Sequence, residues 1–175
     1  LVFTKKRHLS FLSMADSACL GLVTGQMIGR WGNFINCEAF GRYTDCLFAM
    51  RIRRSIVNES MISQNLIDHL ILDNGIEYIQ VHPTFLYESL WNFGLLMFML
   101  WFRKRKTFTG EMLCIYLAGY GIGRAWIEGL RTDSLLIPGT QIAVSQALSV
   151  VLATVSLVIL IYNRRKAFVQ GKEAN

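Results

Sequence analysis

Charge is what this chain has least of. Only 17% of its 175 residues are Asp, Glu, Lys or Arg, where an average soluble domain carries about 25%. Hydrophobic residues make up 53%, and the mean hydropathy is +0.35. A chain this poor in charge takes lipid as its solvent. Proline is scarce too, at two residues, and no Ser- or Gly-rich tract interrupts the sequence, which argues against linkers and disorder. The four cysteines (Cys19, Cys37, Cys46, Cys114) form no C-x-x-C pair and have no histidines at zinc spacing, so neither a metal site nor a cofactor is expected. Cys37 and Cys46 are a conceivable cross-link if their loop is extracytoplasmic; free buried thiols fit the pattern better. No Gly-x-Ser-x-Gly elbow, His-Glu-x-x-His helix, P-loop or dinucleotide fingerprint occurs, which disfavours hydrolases of those types and ATP-driven transport. There is no signal peptide, and the first residue is Leu1 rather than Met, so the sequence reads as a fragment without its natural start.

The positive charge that is present, a net +6, is clustered. Lys5-Lys6-Arg7, Arg103-Lys104-Arg105-Lys106 and Arg164-Arg165-Lys166 each abut an apolar run. Basic clusters in that position anchor span ends in the cytoplasm and argue against a nucleic-acid surface. The apolar runs between them predict an all-α, polytopic transmembrane bundle of about four spans: Leu9 to Ile28, His82 to Phe102, Met112 to about Leu130, and Gln141 to Tyr162. The chain, 1–175, is a single membrane domain. A more polar stretch, 42–81, predicts a small extracytoplasmic region of short strands or short helices between the first and second spans, with a turn at Asp73-Asn74-Gly75. Its Arg51, Arg53 and Arg54 either attract anionic headgroups or form a solvated face. Gly21, Gly25 and Gly29 repeat every four residues, a spacing that lets a second helix backbone approach. Asp16 lies alone inside the first span, packed on a polar neighbour or close to a helix end.

Polar groups at the outer ends of the spans point to chemistry. Gly25 to Gly41 brings Arg30, Asn33, Asn36 and Glu38 to the end of an apolar run, where such groups face a polar cavity rather than lipid. Ninety-odd residues later Gly119-Tyr-Gly-Ile-Gly-Arg-Ala-Trp-Ile-Glu128 repeats the theme. There Tyr120, Arg124, Glu128 and Arg131 share one helical face too charged for lipid. Arg30 alone could snorkel to the interface; Arg124, deeper in its span, could not do so as easily. A guanidinium presents a planar fork of donors that matches phosphate oxygens, so two arginines on separate helices predict a clamp on one anionic group, a phospholipid phosphate. Arg124 and Glu128 also suit an i,i+4 structural pair. Tyr120 is a hydrogen-bond donor or a core ring. His82, beside Pro83 at a span start, is a general base or a capping residue, and Tyr87 and Glu88 share that ambiguity.

The run Gly29-Arg-Trp-Gly-Asn-Phe-Ile-Asn-Cys-Glu-Ala-Phe-Gly41 resembles the signature G-R-x-G-N-F-x-N-x-E-x-x-G of the bacterial phosphatidylglycerol–prolipoprotein diacylglyceryl transferase family. His82-Pro-Thr-Phe-Leu-Tyr-Glu88 and Tyr120-Gly-Ile-Gly-Arg124, continuing through Glu128 to Arg131, resemble two further blocks of it in the same order. The resemblance implies a multi-pass enzyme of the bacterial inner or plasma membrane, its active site towards the outer leaflet. Its partners would be phosphatidylglycerol, the lipobox cysteine of a prolipoprotein signal peptide, and membrane lipid. It implies essential roles for Arg30 and Arg124, supported by Asn33, Glu38, Gly41, Tyr120, Glu128 and Arg131, with Asn36 among the substrate-binding residues. The base that takes the thiol proton is His82, Tyr120 acting with Arg124, or a histidine of a His-Gly-Gly segment that belongs to the family and is absent from this sequence. The family's earlier spans are absent as well, so the sequence corresponds to its C-terminal part. The alternative reading is a non-catalytic anion or phospholipid transporter; a purely structural subunit is a third.

Overall fold

A computed structural model of the chain describes residue 4 and residues 6–132, 135–140 and 142–173, with side chains as far as 170. Lys5, Asp133, Ser134 and Gln141, assigned from the sequence to a basic cluster, an outer loop and a span start, lie outside the described residues. Helix α1 (Phe11–Ile35) leads into a small unit of strand β1 (Met50–Arg53), the short α2 (Gln64–Asp68), β2 (Ile71–Asp73) and β3 (Ile76–Val81). Helices α3 (Thr84–Phe102), α4 (Glu111–Glu128) and α5 (Val144–Glu173) follow.

Three segments are long and apolar enough to cross a membrane: Phe11–Ile35, Thr84–Arg105 and Val144–Gln170. The fourth expected span is a helix too, but it falls short of that composition. Glu111, Arg124 and Glu128 sit within its 18 residues, and both glutamates are buried against neighbouring helices rather than turned outward. The large side chains that do face outward, such as Leu22, Phe93, Trp101, Val151 and Val158, are apolar. That distribution is inverted relative to a soluble protein and suits lipid. The chain is a polytopic helical membrane protein.

Between the helices a tight core forms from Cys19 and Val23 of α1, Leu96, Met99 and Phe102 of α3, and Met112, Ile115 and Tyr116 of α4. Helix α5 lies against α4 where Gly121 leaves no room for a side chain: a Cβ there would stand 2.7 Å from the Ser149 carbonyl oxygen. The stripe Gly21, Gly25, Gly29 behaves otherwise. Nothing lies within 4 Å of a Cβ built at any of the three, so the close helix approach expected from their spacing does not occur among the described residues. The spacing makes a backbone accessible; it does not supply a neighbour.

The far end of the bundle, where α1 begins and α3 ends, is closed by a buried ionic network. Asp16 accepts hydrogen bonds from the backbone N–H groups of Gly110 (2.8 Å) and Leu113 (3.0 Å) and pairs with Lys106 (3.1 Å). Asp16 therefore satisfies amides at the start of α4, which have no partner inside their own helix. Fully buried Glu111 accepts from the Thr107 N–H (2.6 Å) and hydroxyl (3.1 Å) and pairs with Arg164 Nε at 2.5 Å.

The polar stretch 42–81, expected to hold short strands or short helices, holds both. Its strands form a three-stranded antiparallel sheet in the order β1-β3-β2, Met50 pairing with Val81 and Ile71 with Tyr78. Asn74 and Gly75, both at positive φ, close the β2–β3 hairpin, as a two-residue Asn-Gly loop does when its twist must match that of the strands. Phe40, Ile52, Val57, Leu66, Ile79 and Val81 form a second small core beneath it. A short ladder joins this unit to the bundle: Gly41 N–H donates to His82 O (3.0 Å), His82 N–H to Arg42 O (3.0 Å) and Arg42 N–H to Leu130 O (2.9 Å).

Candidate functional site

At the sheet end of the bundle, α1, α3 and α4 each deliver charge to one point. Helix α1 runs on past Ile28, the expected end of the first span, so Arg30 and Asn33 are helical residues and not part of an emerging loop. Arg30 Nε contacts Glu88 Oε2 at 2.5 Å, and Arg124 Nη1 contacts the other oxygen, Oε1, at 3.1 Å. Arg124 Nη2 pairs with Glu128 Oε2 at 2.7 Å, one helical turn on. Arg131, just beyond the end of α4, brings Nη1 to 4.0 Å from Glu88 Oε1. Two indole hydrogen bonds hold the helices in register around this point. Trp31 Nε1 donates to Ser89 Oγ (3.1 Å), whose hydroxyl donates to Met27 O (3.1 Å), tying α3 to α1. Trp91 Nε1 donates to Gly119 O (2.8 Å), tying α3 to α4. Gly123 is needed beside it, because a Cβ there would collide with the Trp91 ring.

Among the described residues Arg30, Arg124 and Arg131 converge on Glu88 and Glu128. Glu88 and Glu128 have 5% of their side chains exposed, Arg30 and Arg124 18%. Each guanidinium carries five N–H donors. Arg30 pairs with Glu88 through Nε, and no hydrogen bond from its terminal nitrogens is found among the described residues. The site is thus a partly exposed, partly desolvated convergence of guanidinium donors, the arrangement that recognises an anion.

The other residues singled out in the sequence divide into four groups. Tyr120 belongs with the arginines: it stacks on Tyr116 (5.8 Å between ring centroids) and lines a narrow gap with Glu88, Asn92, Gly123 and Arg124. Asn36 and Glu38 form their own pair at 3.2 Å on the exposed turn after α1, and Asn33 contributes its carbonyl to that turn by accepting from the Glu38 N–H. Gly41 is a close-approach residue, since a Cβ would stand 2.6 Å from that of His82, and its backbone bridges to Arg131. His82 stands with Tyr87 and Cys46: Nδ1 lies 3.2 Å from the Tyr87 hydroxyl and 4.0 Å from Cys46 Sγ. Burial lowers the His82 pKa below its ordinary value, so the imidazole is neutral at pH 7. The Cys46 thiol is lowered too, chiefly by its hydrogen bond with Thr44. Among the described residues no cluster of three or more His, Cys, Asp or Glu is arranged to hold a metal.

Sequence reasoning left Glu88 open, as a base or a capping residue, whereas it is the hub on which three arginines meet. The usable signal was a carboxylate inside an apolar helix, which in lipid requires a cationic partner.

Fold and site together define a class: a polytopic helical membrane protein with a buried arginine–carboxylate cluster at one end. The model of the family described as "Prolipoprotein diacylglyceryl transferase" matches residues 1–162, and the chain belongs to that family. It is 37% identical over 175 residues to the phosphatidylglycerol–prolipoprotein diacylglyceryl transferase of Bacillus velezensis, covering 100% of this chain and 60% of the relative. It is 38% identical over 171 residues to that of Geobacillus kaustophilus (98% and 58%) and 39% identical over 142 residues to that of Clostridioides difficile (81% and 48%). The chain thus spans at most about 60% of the length of these curated relatives.

Proposed function

We propose that this chain carries the phosphate-binding part of a transferase that moves the diacylglyceryl group of phosphatidylglycerol onto the lipobox cysteine of a prolipoprotein. In that reaction the acceptor sulfur forms a bond to the glycerol carbon of the lipid as the carbon–oxygen bond to phosphate breaks. Glycerol phosphate departs with the electron pair, and the thiol proton passes to a base. Negative charge therefore grows on the phosphate oxygens in the transition state. Donors already aimed at that point, in a site from which water is largely excluded, stabilise it most. The observation that carries the reading is the meeting of Arg30 and Arg124, from separate helices, on the two oxygens of Glu88.

Glu88 and Glu128 orient the arginines, and the uncommitted nitrogens of Arg30 face the substrate. Tyr120 supports Arg124. Asn33, Asn36, Glu38 and Gly41 shape the rim, and Arg131 completes the phosphate site. His82 is the candidate base: in the tautomer whose Nδ1–H donates to the Tyr87 hydroxyl, Nε2 is the nitrogen that accepts a proton. The basic clusters at the opposite end set the orientation, with the site and the sheet unit of 42–81 on the outer side of a bacterial inner or plasma membrane.

The test is incubation of membranes containing the protein with phosphatidylglycerol and a lipobox peptide. A thioether-linked diacylglyceryl peptide is expected. Arg124→Lys, which keeps the charge but loses the fork, should cut turnover by about 10²-fold or more while the protein stays folded. Lipid binding without any modified peptide would instead favour transport, and wild-type turnover in Arg124→Lys would remove the clamp from the mechanism.

A further inference from the structure

A tight turn at the base of the sheet holds residues that water does not favour. The Ala49 N–H donates to Cys46 O at 2.9 Å, which closes a four-residue turn with Leu47 and Phe48 at its two central positions. Gly, Pro, Asn, Asp and Ser dominate such positions. Here two large apolar side chains occupy them, and Leu47 is 93% exposed and Phe48 65%. Asp45, the carboxylate beside the tip, is turned back towards the sheet: its Oδ1 accepts from the Tyr43 hydroxyl (2.6 Å) and from Gln80 Nε2 (3.0 Å).

Strand register fixes the level of this turn. Strand β3 runs towards the bundle, from Ile76 to Val81 and on through His82 into α3, and β1 runs antiparallel to it from Met50, the partner of Val81. The residues just before Met50 therefore lie on the bundle side of the sheet. Cys46 agrees with that placement: its Sγ is 3.7 Å from the hydroxyl of Tyr87, in the first turn of α3. Tyr87 in turn stacks on Trp126 of α4, with 6.3 Å between ring centroids. Trp126, Trp31 and Phe34, all near this end of their helices, are half-exposed, and aromatic side chains so placed mark the membrane–water interface. Leu72 provides an internal contrast. It is 71% exposed as well, but it pairs with Glu77, about 13 Å along β3 from Val81 and away from the bundle.

We propose that the Cys46–Ala49 turn is a membrane-dipping anchor, whose Leu47 and Phe48 enter the interfacial layer of the bilayer and seat the sheet unit on it. Lipid is the occupant of this surface because the turn continues the lipid-facing side of the bundle at the depth where α3 enters the membrane. The anchor adds to the backbone ladder of Gly41, Arg42 and His82, and it holds Cys46 against His82 and Tyr87. It depends on the level of the turn relative to α3, and so neither on the transferase reading nor on which leaflet the sheet unit faces.

Spin labelling measures that depth without turnover. Cys37, Cys46 and Cys114 are changed to Ser, the fully buried Cys19 is kept, and the intact protein carrying Leu47→Cys or Leu72→Cys is labelled in phosphatidylcholine nanodiscs. Collisions of the label with oxygen, which concentrates in lipid, are compared with collisions with a water-soluble nickel chelate. The oxygen-to-nickel ratio should be at least about threefold higher for Leu47→Cys than for Leu72→Cys. Equal ratios overturn the anchor in favour of a solvated turn. A label at residue 47 that is shielded from both colliders overturns it in favour of a protein partner. Phe48→Trp, made with all four cysteines in place, guards against loss of the fold in the serine variants. Its added emission should be quenched by lipids brominated at the headgroup end of their acyl chains, while that of Leu72→Trp should not. Absence of that difference removes the anchor just as equal collision ratios would.

Discussion

The bundle buries charge at both ends, and the two ends treat it differently. At one end Asp16 and Glu111 face Lys106 and Arg164, and backbone N–H groups of Thr107, Gly110 and Leu113 take up the carboxylate oxygens. Charges balance there, and the carboxylates act as caps for a neighbouring helix. At the other end Arg30, Arg124 and Arg131 surround Glu88 and Glu128. Burying an ion pair seldom adds net stability, because desolvation offsets attraction. What distinguishes the two networks is what meets their carboxylates. A network whose acceptors are consumed by its own backbone has nothing left for a ligand; one in which guanidiniums from separate helices converge presents donors to an anion.

The largest effect that would break this contrast comes from Glu88→Gln. Removing one member of a buried ionic network costs about 3–5 kcal/mol, because the partner charges are left uncompensated. Here three arginines lose their shared anion, so the thermal midpoint of the solubilised protein should fall steeply and transfer should vanish. A variant with an unchanged midpoint would mean that Glu88 does not hold the cluster together. Asp16→Ala should cost less, about 1–3 kcal/mol, from the amides of Gly110 and Leu113 left without an acceptor. Its signature differs in kind: the midpoint drops, yet the molecules that remain folded turn over at the wild-type rate. A loss of turnover per folded molecule in Asp16→Ala would erase the distinction between the ends.

The sequence made one end far more legible than the other. Arg30 and Arg124 stand out because each interrupts an apolar run in a Gly-rich context, and a motif of that length needs no tertiary information. Glu88 and Asp16 did not yield, for a shared reason. Asp16 caps a helix whose first residues lie more than ninety positions away, and Glu88 owes its role to two other helices. Neither contact leaves a periodic trace in the sequence. The Asn74-Gly75 turn was readable from local chemistry, while the strands beside it are only three to six residues long, too short for alternation to declare them. The stripe Gly21, Gly25, Gly29 was read as a packing face and has none among the described residues; Gly119, Gly121 and Gly123, noticed only as context for Arg124, do pack, against Leu95, Ser149 and Trp91.

The smallest effect offers the sharpest discrimination, because the same substitution can be made at both ends. Arg164 meets Glu111 through Nε alone among its contacts to that carboxylate, and its side chain is 39% exposed. It also lies over the Phe102 ring and donates from Nη2 to the Arg105 carbonyl, contacts at the edge of water that add little to the charge it brings to Glu111. Lysine supplies the same charge, so Arg164→Lys should shift the midpoint by no more than about 1 kcal/mol and leave turnover intact. Arg30→Lys changes the charge no more than that, yet it removes two terminal nitrogens for which no hydrogen bond is found among the described residues. An ammonium on a flexible stem cannot hold Glu88 and present a planar pair of donors to a phosphate at once. Turnover should therefore fall by about tenfold or more for Arg30→Lys at a nearly unchanged midpoint. If the two lysine variants behaved alike, the converging donors at the sheet end would be as structural as the caps at the other.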